Sequence, residues 1–412
     1  MKNLTKFFGL AVIAMPMVSS CSQKVEPVPT KSGLDPQKFV AEINGKKTGL
    51  YTLTNANGME VCLTNLGGRI VSIMVPDRNG ELKDVVLGFD NVLQYANMDE
   101  NGNVGLGKTP SDFGACIGRY ANRINQGKFT LDGVEYDLPK NNFGHCLHGG
   151  PTGWQYQVYD AEMSDDSTSV TMSITSPDGD NGFPGTVKAN CTYTLTDDNE
   201  LVISYNATTD KPTIINMTNH SYFNLSGDPT NAITEDSLVI FSKQMTPVDQ
   251  TYMTTGEIRD IEPGSPFDFL PKRDEAPHMF QVGAQIDAED EQIKNGNGYD
   301  HNWVLLPTPE GATKLDLPAC ILMSPKSGIV LVVKTTEPGV QCYSGNFLDG
   351  TAIGKKGIAY QQRTGICLET QKYPDTPNKP EWPSCTLRPG EEYESITVFQ
   401  FITDNQRPSD KK

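Results

Sequence analysis

Short runs of β-branched and aromatic residues, separated by turn formers, dominate the pattern of apolar and polar positions. Such runs, about four to eight residues long, are typical of strands. The clearest examples are residues 69–75, 127–131, 192–196, 201–205 and 329–335. Asp132-Gly133 predicts a two-residue hairpin turn between two of these short runs, and residues 197–199 separate another pair.

Helical periodicity is scarce, and the best candidate helix covers residues 91–99. Strands without a βαβ rhythm predict an all-β fold, a large antiparallel β-sandwich. We find no repeat of fixed period and no internal linker, so we expect one domain over residues 39–403. Residues 404–412 are polar and predict a frayed tail.

The N-terminus has the pattern of a targeting segment. A basic start and a short apolar run predict a signal peptide over residues 1–20. Val18-Ser19-Ser20-Cys21 resembles the lipobox of bacterial lipoproteins, which implies a lipidated Cys21, a proline-containing tether over residues 21–38 and attachment to a membrane. Ser22, rather than Asp, then favours an outer-membrane lipoprotein of the cell envelope, facing the periplasm or the surface. The alternative is an ordinary cleaved signal with an incidental cysteine.

Charge narrows the class of partner. Composition is globular, with 37% hydrophobic and 21% charged residues. Without residues 1–20, 32 basic side chains face 51 acidic ones, a formal net charge of −19. Such a chain disfavours nucleic acid and anionic surfaces, so we expect a small or neutral partner.

Eight cysteines besides Cys21 lack C-x-x-C spacing, and we expect buried thiols rather than a disulfide framework.

Four side chains stand in settings that suit chemistry. His220 lies in a polar and aromatic run, and His148 precedes two glycines that allow close backbone approach. Glu369 follows an apolar run and is expected at a strand end, where a loop site can recruit it. Asp300 lies near Trp303, a combination that suits sugar hydroxyls and C–H faces. Each also has a structural alternative: a hydrogen-bonded histidine, a turn or a surface ion pair.

Two segments raise the question of a metal. His145-Cys146-Leu147-His148 has zinc-ligand residue types but no partner pair at finger-like spacing. Residues 178–182 are rich in oxygen ligands yet lack the closing glutamate of a calcium loop, so a polar turn is favoured. We expect no catalytic metal, and a structural Ca²⁺ stays open.

Seven segments, taken in chain order, resemble the aldose 1-epimerase, or galactose mutarotase, family. Each segment alone is a weak signal of the family, whereas all seven together in the family's order are a specific one. They are GRYANRI (118–124), LHGG (147–150), NHSYFNL (219–225), DHN (300–302), PGVQCYSGNF (338–347), ETQKYP (369–374) and LRPG (387–390).

The resemblance implies a large mutarotase-like sandwich whose concave face holds one monosaccharide. It implies that His220 is the general acid and Glu369 the general base. The positions implied to hold sugar hydroxyls are Asn122, Arg123, His148, Asp300 and Gln341, with Tyr222 as a wall of the pocket. Two positions depart from the family's pattern: Cys342 stands where an aromatic residue is usual, and Trp303 stands where Phe is common. The long stretch between His220 and Asp300 suggests an insertion that reshapes the rim of the site.

The implied reaction interconverts the α and β anomers of free aldohexoses such as glucose and galactose. A base takes the C1 hydroxyl proton while an acid across the ring protonates the ring oxygen. We expect an ionised Glu369, a protonated His220, no required cofactor and a monomer. A non-catalytic, lipid-anchored sugar-binding protein is the main alternative. Glycoside hydrolysis or lyase activity is a weaker one, because hydrolysis usually uses two carboxylates.

Overall fold

The computed structural model describes residues 30–108, 112–271 and 280–406, and within them strands make up most of the regular structure. The predicted signal peptide, residues 21–29 of the predicted tether and the last six residues of the polar tail lie outside these ranges. Residues 30–38, also predicted to be tether, instead pack on the domain, because Leu34 is buried and a 3-10 helix covers Pro36–Phe39. Two short α-helices are α1 (Val92–Ala96) and α2 (Glu291–Gly296). None of the helices in the described ranges has the length and apolar character needed to cross a bilayer.

The strands follow the hydrophobic pattern in chain order. They are β1 (Glu42–Ile43), β2 (Lys46–Lys47), β3 (Leu50–Thr54), β4 (Glu60–Thr64), β5 (Arg69–Pro76), β6 (Leu82–Asp84), β7 (Ala115–Ile117), β8 (Arg123–Ile124), β9 (Lys128–Leu131), β10 (Val134–Asp137), β11 (Cys146–Leu147), β12 (Asp160–Met163), β13 (Ser169–Ser176), β14 (Val187–Leu195), β15 (Glu200–Thr209), β16 (Thr213–Ile214), β17 (Thr218–His220), β18 (Tyr222–Phe223), β19 (Ser237–Ile240), β20 (Ser242–Thr246), β21 (Arg259–Asp260), β22 (Phe280–Gln281), β23 (Asp300–Leu305), β24 (Cys320–Met323), β25 (Ile329–Thr335), β26 (Gly339–Tyr343), β27 (Ile366–Gln371), β28 (Thr386–Leu387) and β29 (Tyr393–Thr403).

Three antiparallel sheets form the body of the molecule. The largest has nine strands in the order β12, β13, β14, β15, β29, β25, β24, β19, β22. A six-stranded sheet runs β18, β27, β26, β23, β20, β21, and a four-stranded sheet runs from β3 to β6. Separate two-stranded sheets, including β7 with β17 and β8 with β11, lie in the segments that join these three sheets along the chain.

The main core cluster takes buried side chains from all three sheets and fills the space between the nine-stranded and six-stranded ones. Leu331 and Phe399 of the large sheet share one buried cluster with Val340, Ile366 and Leu368 of the smaller one. Successive side chains of a strand point to opposite faces, so the neighbours of these core residues point away from the core. The predicted antiparallel β-sandwich is confirmed.

Local predictions can be compared with the strands and turns. The hairpin turn is confirmed: Leu131 pairs with Val134, and Asp132 and Gly133 both have positive φ, as a type I′ turn requires. The run at residues 329–335 matches β25. The helix expected over residues 91–99 is shorter, because Asn97 is left-handed and ends α1.

The cysteines and the two family departures lie in the interior. All eight cysteines of the described ranges are buried and free of disulfides, as expected. Cys342 and Trp303 are fully buried in the core between the sheets, and the Trp303 indole donates to the carbonyl of Phe267 at 3.1 Å. Both substitutions therefore affect packing rather than the face that carries polar side chains.

Candidate functional site

Three neighbouring strands of the six-stranded sheet place polar side chains on the face opposite the core. Asn302 of β23, Gln341 of β26 and Glu369 of β27 stand opposite one another across the sheet. Leu368 and Thr370 flank Glu369, so Glu369 lies inside β27 rather than at its end, contrary to the sequence-based expectation. All six residues of β27 are buried, because both of its faces are covered.

Two residues further along each strand, the same three strands contribute a second row of side chains. Asp300 stands opposite Tyr343, which stands opposite Cys367. The Gln341 amide donates to Asp300 Oδ1 at 2.7 Å, which fixes that carboxylate. Gln341 Oε1 has no hydrogen-bond partner within the described part of the chain.

A separate strand pair brings His220 to this face. His220 ends β17, which pairs with β7, and Tyr222 on β18 pairs with Cys367 of β27. The Tyr222 ring lies 5.1 Å from the His220 ring and forms one wall. His220 Nδ1 lies 3.6 Å from the sulfur of Cys367. Burial raises the pKa of the Cys367 thiol well above its usual range, so the sulfur is a neutral thiol that can pair weakly with Nδ1 whether or not that nitrogen carries a proton, while Nε2 lies towards Glu369.

Loops between short strands supply the third group of side chains. The backbone N–H of Asn122 donates to His148 Nδ1 at 3.1 Å, which leaves the His148 proton on Nε2. The Arg123 guanidinium donates to Asn142 Oδ1 at 3.0 Å and covers the ring of Tyr252 at 5.3 Å. Tyr252 belongs to the long stretch between His220 and Asp300, which thus contributes to the rim of the site.

These residues enclose a cleft of about 240 Å³. Of the predicted site residues, Gln341 alone does not line it and lies directly behind Asp300. The predicted residues that line it are Asn122, Arg123, His148, His220, Tyr222, Asp300 and Glu369.

Sequence reasoning assigned no role to several other residues that line the cleft. Tyr343 and Phe347 lay in a quoted motif, and alternation with Gln341 would have placed Tyr343 on the same face as that residue. Asp112 and Asn142 come from loops, where no spacing rule predicts a side-chain direction. The Tyr156 hydroxyl donates to Asp112 Oδ1 at 3.2 Å.

His220 and Glu369 lie next to each other in the empty cleft. Nε2 of His220 is 3.6 Å from Oε1 of Glu369. That distance is too long for a hydrogen bond, so both atoms keep bonding capacity for a ligand oxygen. Glu369 Oε2 also lacks a partner among the described residues. Which side of a bound sugar ring each group contacts stays a prediction.

Burial moves the pKa values of the two groups towards each other. Burial raises the pKa of Glu369 well above its usual range, Asp300 and Asp112 raise it further, and Arg123 opposes them. Burial lowers the pKa of His220, and Asp112 opposes this shift. Both directions are opposite to the expectation of a simply ionised carboxylate and a simply protonated imidazole. The pair is best described as sharing one proton.

The other ionisable groups set the field around this pair. Burial lowers the pKa of His148 well below its usual range, with His220 and Arg123 acting in the same direction, so His148 is a neutral donor. Burial raises the pKa of Asp300, while Arg123 and the Gln341 amide oppose it. Burial lowers the pKa of Arg123, which stays charged because guanidinium is so basic.

The two segments that raised the question of a metal both make other contacts. His145 accepts from the backbone N–H of Gln126 and contacts the Thr251 hydroxyl, while Cys146 is buried in a separate apolar cluster, so the zinc-like tetrapeptide does not converge. In the acidic loop, Asp178 pairs with Lys211 and Asp180 accepts from the Ser176 hydroxyl. That loop has the contacts of a polar turn.

A different group has metal-like spacing. Ligand atoms of His148, His220 and Glu369 lie within 4.8 Å of one another. The Arg123 guanidinium acts electrostatically on both His148 and Glu369. A dication beside this buried cation would be repelled, which favours proton transfer over metal binding as the role of the group.

Comparisons with known proteins show the family of the chain. The model of the family described as aldose 1-epimerase matches residues 49–400. The chain is 40% identical over 343 residues to the galactose mutarotase of Homo sapiens, which covers 83% of this chain and 91% of the relative. It is 36% identical over 363 residues to the aldose 1-epimerase of Escherichia coli strain K12, which covers 88% and 97%.

Solved structures resemble the fold over nearly their whole length. The aldose epimerase homologue from C. elegans is 30% identical, with a TM-score of 0.75 over 86% of this chain and 99% of the other. The galactose 1-epimerase from Lactobacillus acidophilus is 27% identical, with a TM-score of 0.73 over 88% and 97%. With a family match over most of its length and a buried His/Glu pair in the cleft, this chain belongs to the aldose 1-epimerase family.

Proposed function

We infer that the protein is an isomerase, an aldose 1-epimerase that interconverts the α and β anomers of free aldohexoses such as glucose and galactose. The observation that carries this conclusion is the adjacent, buried pair of His220 and Glu369, with open bonding positions towards a cleft lined by hydroxyl-binding groups. A pure sugar-binding protein does not need such a pair. The relatives named as mutarotases and epimerases support the same activity.

The geometry suits reversible ring opening. The C1 hydroxyl oxygen and the ring oxygen are both bonded to C1, so an acid and a base 3.6 Å apart can serve them together. Glu369 takes the C1 hydroxyl proton as His220 gives its Nε2 proton to the ring oxygen, which breaks the bond from C1 to that oxygen. Rotation about C1–C2 and reclosure, with both proton transfers reversed, produce the other anomer.

The shared proton matches this chemistry. The raised pKa makes the Glu369 carboxylate a stronger base, and the lowered pKa makes protonated His220 a stronger acid. Each positioned proton-transfer group typically contributes about 10²- to 10⁴-fold to rate. Arg123, His148 and Asp300 are assigned to sugar hydroxyls, with Asn122 beside them and Tyr222 as a wall. Gln341 acts through Asp300.

Polarimetry tests the proposed function directly. Freshly dissolved α-D-glucose and α-D-galactose should reach their equilibrium rotation faster with catalytic amounts of purified protein than with buffer alone. If sugar binds but the rate equals that of buffer, the non-catalytic alternative is correct.

The reaction as proposed uses no cofactor. The proton transfers and hydroxyl contacts assigned above are all made by side chains of this chain. Excess chelator should therefore leave the rate of mutarotation unchanged. Loss of activity that one specific ion restores, with folding unaltered, would contradict this proposal and would make the group of His148, His220 and Glu369 the first metal site to examine.

The cellular setting rests on the sequence of the N-terminus. We expect a monomer attached through lipidated Cys21 to the outer membrane of the cell envelope, because several acyl chains give stable attachment. Cys21→Ala should release the protein from membrane fractions or block its processing. Wild-type protein that fractionates as soluble, with a free N-terminus, would rule out the anchor.

A further inference from the structure

A carboxylate that has no part in the proposed proton transfers lines the cleft beside His220. Asp112 lies in the turn that leads into β7, where its carbonyl accepts from the backbone N–H of Ala115 at 3.1 Å. The next residue, Phe113, is fully buried, and its ring lies 4.6 Å from the ring of Tyr222. The turn is therefore anchored in the domain, with the side chain of Asp112 at the wall of the cleft.

Polar contacts hold both the Asp112 carboxylate and its turn in place. The hydroxyl of Tyr156 donates to Asp112 Oδ1 at 3.2 Å, and Tyr156 is itself buried. The buried guanidinium of Arg69 donates to the carbonyl of Phe113 at 3.0 Å and to that of Gln155 at 2.6 Å. Arg69 thus joins the turn of Asp112 to the segment that carries Tyr156, which fixes the donor relative to the acceptor.

The same turn makes the backbone contacts that place His220. Ala115 stands opposite His220 in the pair of β7 and β17. The N–H of Gly114 donates to the carbonyl of His220 at 3.0 Å, and the side-chain amide of Asn219 donates to the carbonyl of Gly114 at 2.9 Å. One piece of backbone therefore holds both Asp112 and His220, so the fold sets the separation of the carboxylate and the imidazole.

The charges in and around the cleft do not balance. Three carboxylates, those of Asp112, Asp300 and Glu369, line the cleft together with one guanidinium, that of Arg123. Arg69 adds a second cation, fully buried beside the turn of Asp112. The excess of negative charge in the cleft favours a proton on the catalytic pair.

Asp112 acts on both members of that pair. Burial lowers the pKa of His220, and Asp112 acts against this shift while Arg69 adds to it. Burial raises the pKa of Glu369, and nearby carboxylates, including Asp112, raise it further. Removing the charge of Asp112 would therefore lower the pKa of both groups.

Four other ionisable groups face His220 through ring or sulfur contacts. Burial shifts their pKa values away from neutral pH, so all four are uncharged there. The pKa is lowered for His148 and raised for Tyr222, Tyr343 and Cys367. The fixed charges that act on the imidazole, besides its partner in the pair, are therefore those of Asp112 and Arg69.

We propose that Asp112 is a positioning residue of the reaction, whose fixed carboxylate offsets the buried charge of Arg69 and keeps the shared proton on the catalytic pair. This inference rests on the proposed function, because it assigns a role within that reaction. In this role Asp112 moves no proton itself. It sets the range of pH over which His220 and Glu369 together hold one proton.

The test is the pH dependence of kcat/KM for α-D-galactose, measured by polarimetry. Asp112→Asn keeps the shape of the side chain and can still accept from Tyr156 through its amide oxygen, so it removes only the charge. Both limbs of the profile should move towards acid by at least about 0.5 pH units, because a nearby negative charge raises both pKa values. On the basic limb, the rate at a fixed pH should then fall about 3-fold or more.

Two further variants separate charge from placement. Asp112→Glu retains the charge and should keep both limbs near their wild-type positions, even where the maximal rate falls. Asp165→Asn removes an equivalent charge from the exposed turn between β12 and β13 and should leave the profile unchanged. Asp112 is only partly buried, so melting curves should show that all three variants are folded.

A lower rate in Asp112→Asn with both limbs unmoved would show a purely structural role and overturn the proposal. Limbs that move as far in Asp112→Glu as in Asp112→Asn would overturn it too. If wild-type protein does not accelerate mutarotation, the proposed function fails instead, and an NMR titration of His220 tests Asp112 separately, with His220→Asn identifying the signal. The pKa of His220 should be lower in Asp112→Asn than in wild type, and equal values would refute the role of Asp112.

Discussion

At the residue scale, the proposed chemistry depends on two side chains, Glu369 and His220, whose charged forms are disfavoured by burial. Glu369 is 2% exposed and His220 is 5% exposed, so each is held in surroundings that disfavour its charged form. Their nearness lets one proton serve both groups.

The first prediction concerns this pair. Glu369→Gln and His220→Asn should each lower kcat at least about 10²-fold, because each removes one proton-transfer group. The double variant should lose much less than the product of the two single losses, because the groups act as a unit. Kinetics by polarimetry, with melting curves as a control for folding, measure both effects. Folded single variants with wild-type rates would show that other groups catalyse the reaction.

The second prediction concerns the groups that hold the sugar. Arg123→Ala or Asp300→Ala should mainly raise KM, because these side chains are proposed to bind hydroxyls and to move no proton. Losing a charged hydrogen-bond partner costs on the order of 1.5 to 3 kcal/mol, roughly 10- to 150-fold in affinity. Initial rates over a range of galactose concentrations separate KM from kcat. An unaltered kcat/KM would remove that residue from the site.

The third prediction concerns the pH dependence of the reaction. Activity requires one proton on the pair, so the rate should fall at low pH, where the pair gains a second proton, and at high pH, where it loses the last one. The raised pKa of Glu369, caused by burial, should keep the basic limb above the range of an ordinary carboxyl group. A kcat/KM profile that stays flat across both limbs would contradict the shared proton.

At the scale of elements, the position of His220 depends on a close backbone approach. Gly114 has a φ of 69°, its N–H donates to the carbonyl of His220 at 3.0 Å, and a Cβ there would lie 1.9 Å from the carbonyl oxygen of Ile70. Strand β17 is thus placed against β5 through a residue that has to be glycine.

The fourth prediction follows from this contact. Gly114→Ala should lower the free energy of unfolding by about 1 to 3 kcal/mol more than Gly133→Ala, because only the former adds overpacking to the cost of a positive φ. Gly133 is a matched control, with a φ of 81° and nothing within 4 Å of its Cβ. Gly114→Ala should also lower kcat by displacing His220. Equal melting temperatures for the two variants would contradict the prediction.

At the scale of the whole molecule, pH should affect stability through a carboxyl group outside the site. Asp236, just before β19, is 4% exposed, and burial raises its pKa to about 7, although the charge of Lys326 acts to lower it. A pKa raised on folding contributes stability at low pH that is lost as pH rises towards 7.

The fifth prediction uses this carboxyl group. The free energy of unfolding should fall by a few kcal/mol between about pH 4 and pH 7, since one pKa unit corresponds to about 1.4 kcal/mol. Asp236→Asn should remove that part of the pH dependence and stabilise the protein at pH 8. Denaturant unfolding at several pH values measures both. A variant that retains the full wild-type slope would show that Asp236 is not the responsible group.

The sequence by itself determined the class of the fold and most residues of the candidate site. Alternation and turn chemistry are local properties, so β25 and the hairpin at Asp132-Gly133 could be predicted from spacing alone. The catalytic and hydroxyl-binding positions came from resemblance to a family, and the N-terminal anchor remains a prediction from sequence.

Only the tertiary structure decided how those residues act together. The 3.6 Å separation of His220 and Glu369 arises where β17 meets β27, and no local pattern encodes a distance between elements so far apart in the chain. The directions of their pKa shifts depend on burial under several segments, and the ring contacts of Tyr252 with Phe143 and Phe347 depend on three loops meeting. Such properties arise from packing between segments that are far apart in the chain. Local sequence patterns do not specify that packing, which is settled only when the complete fold forms.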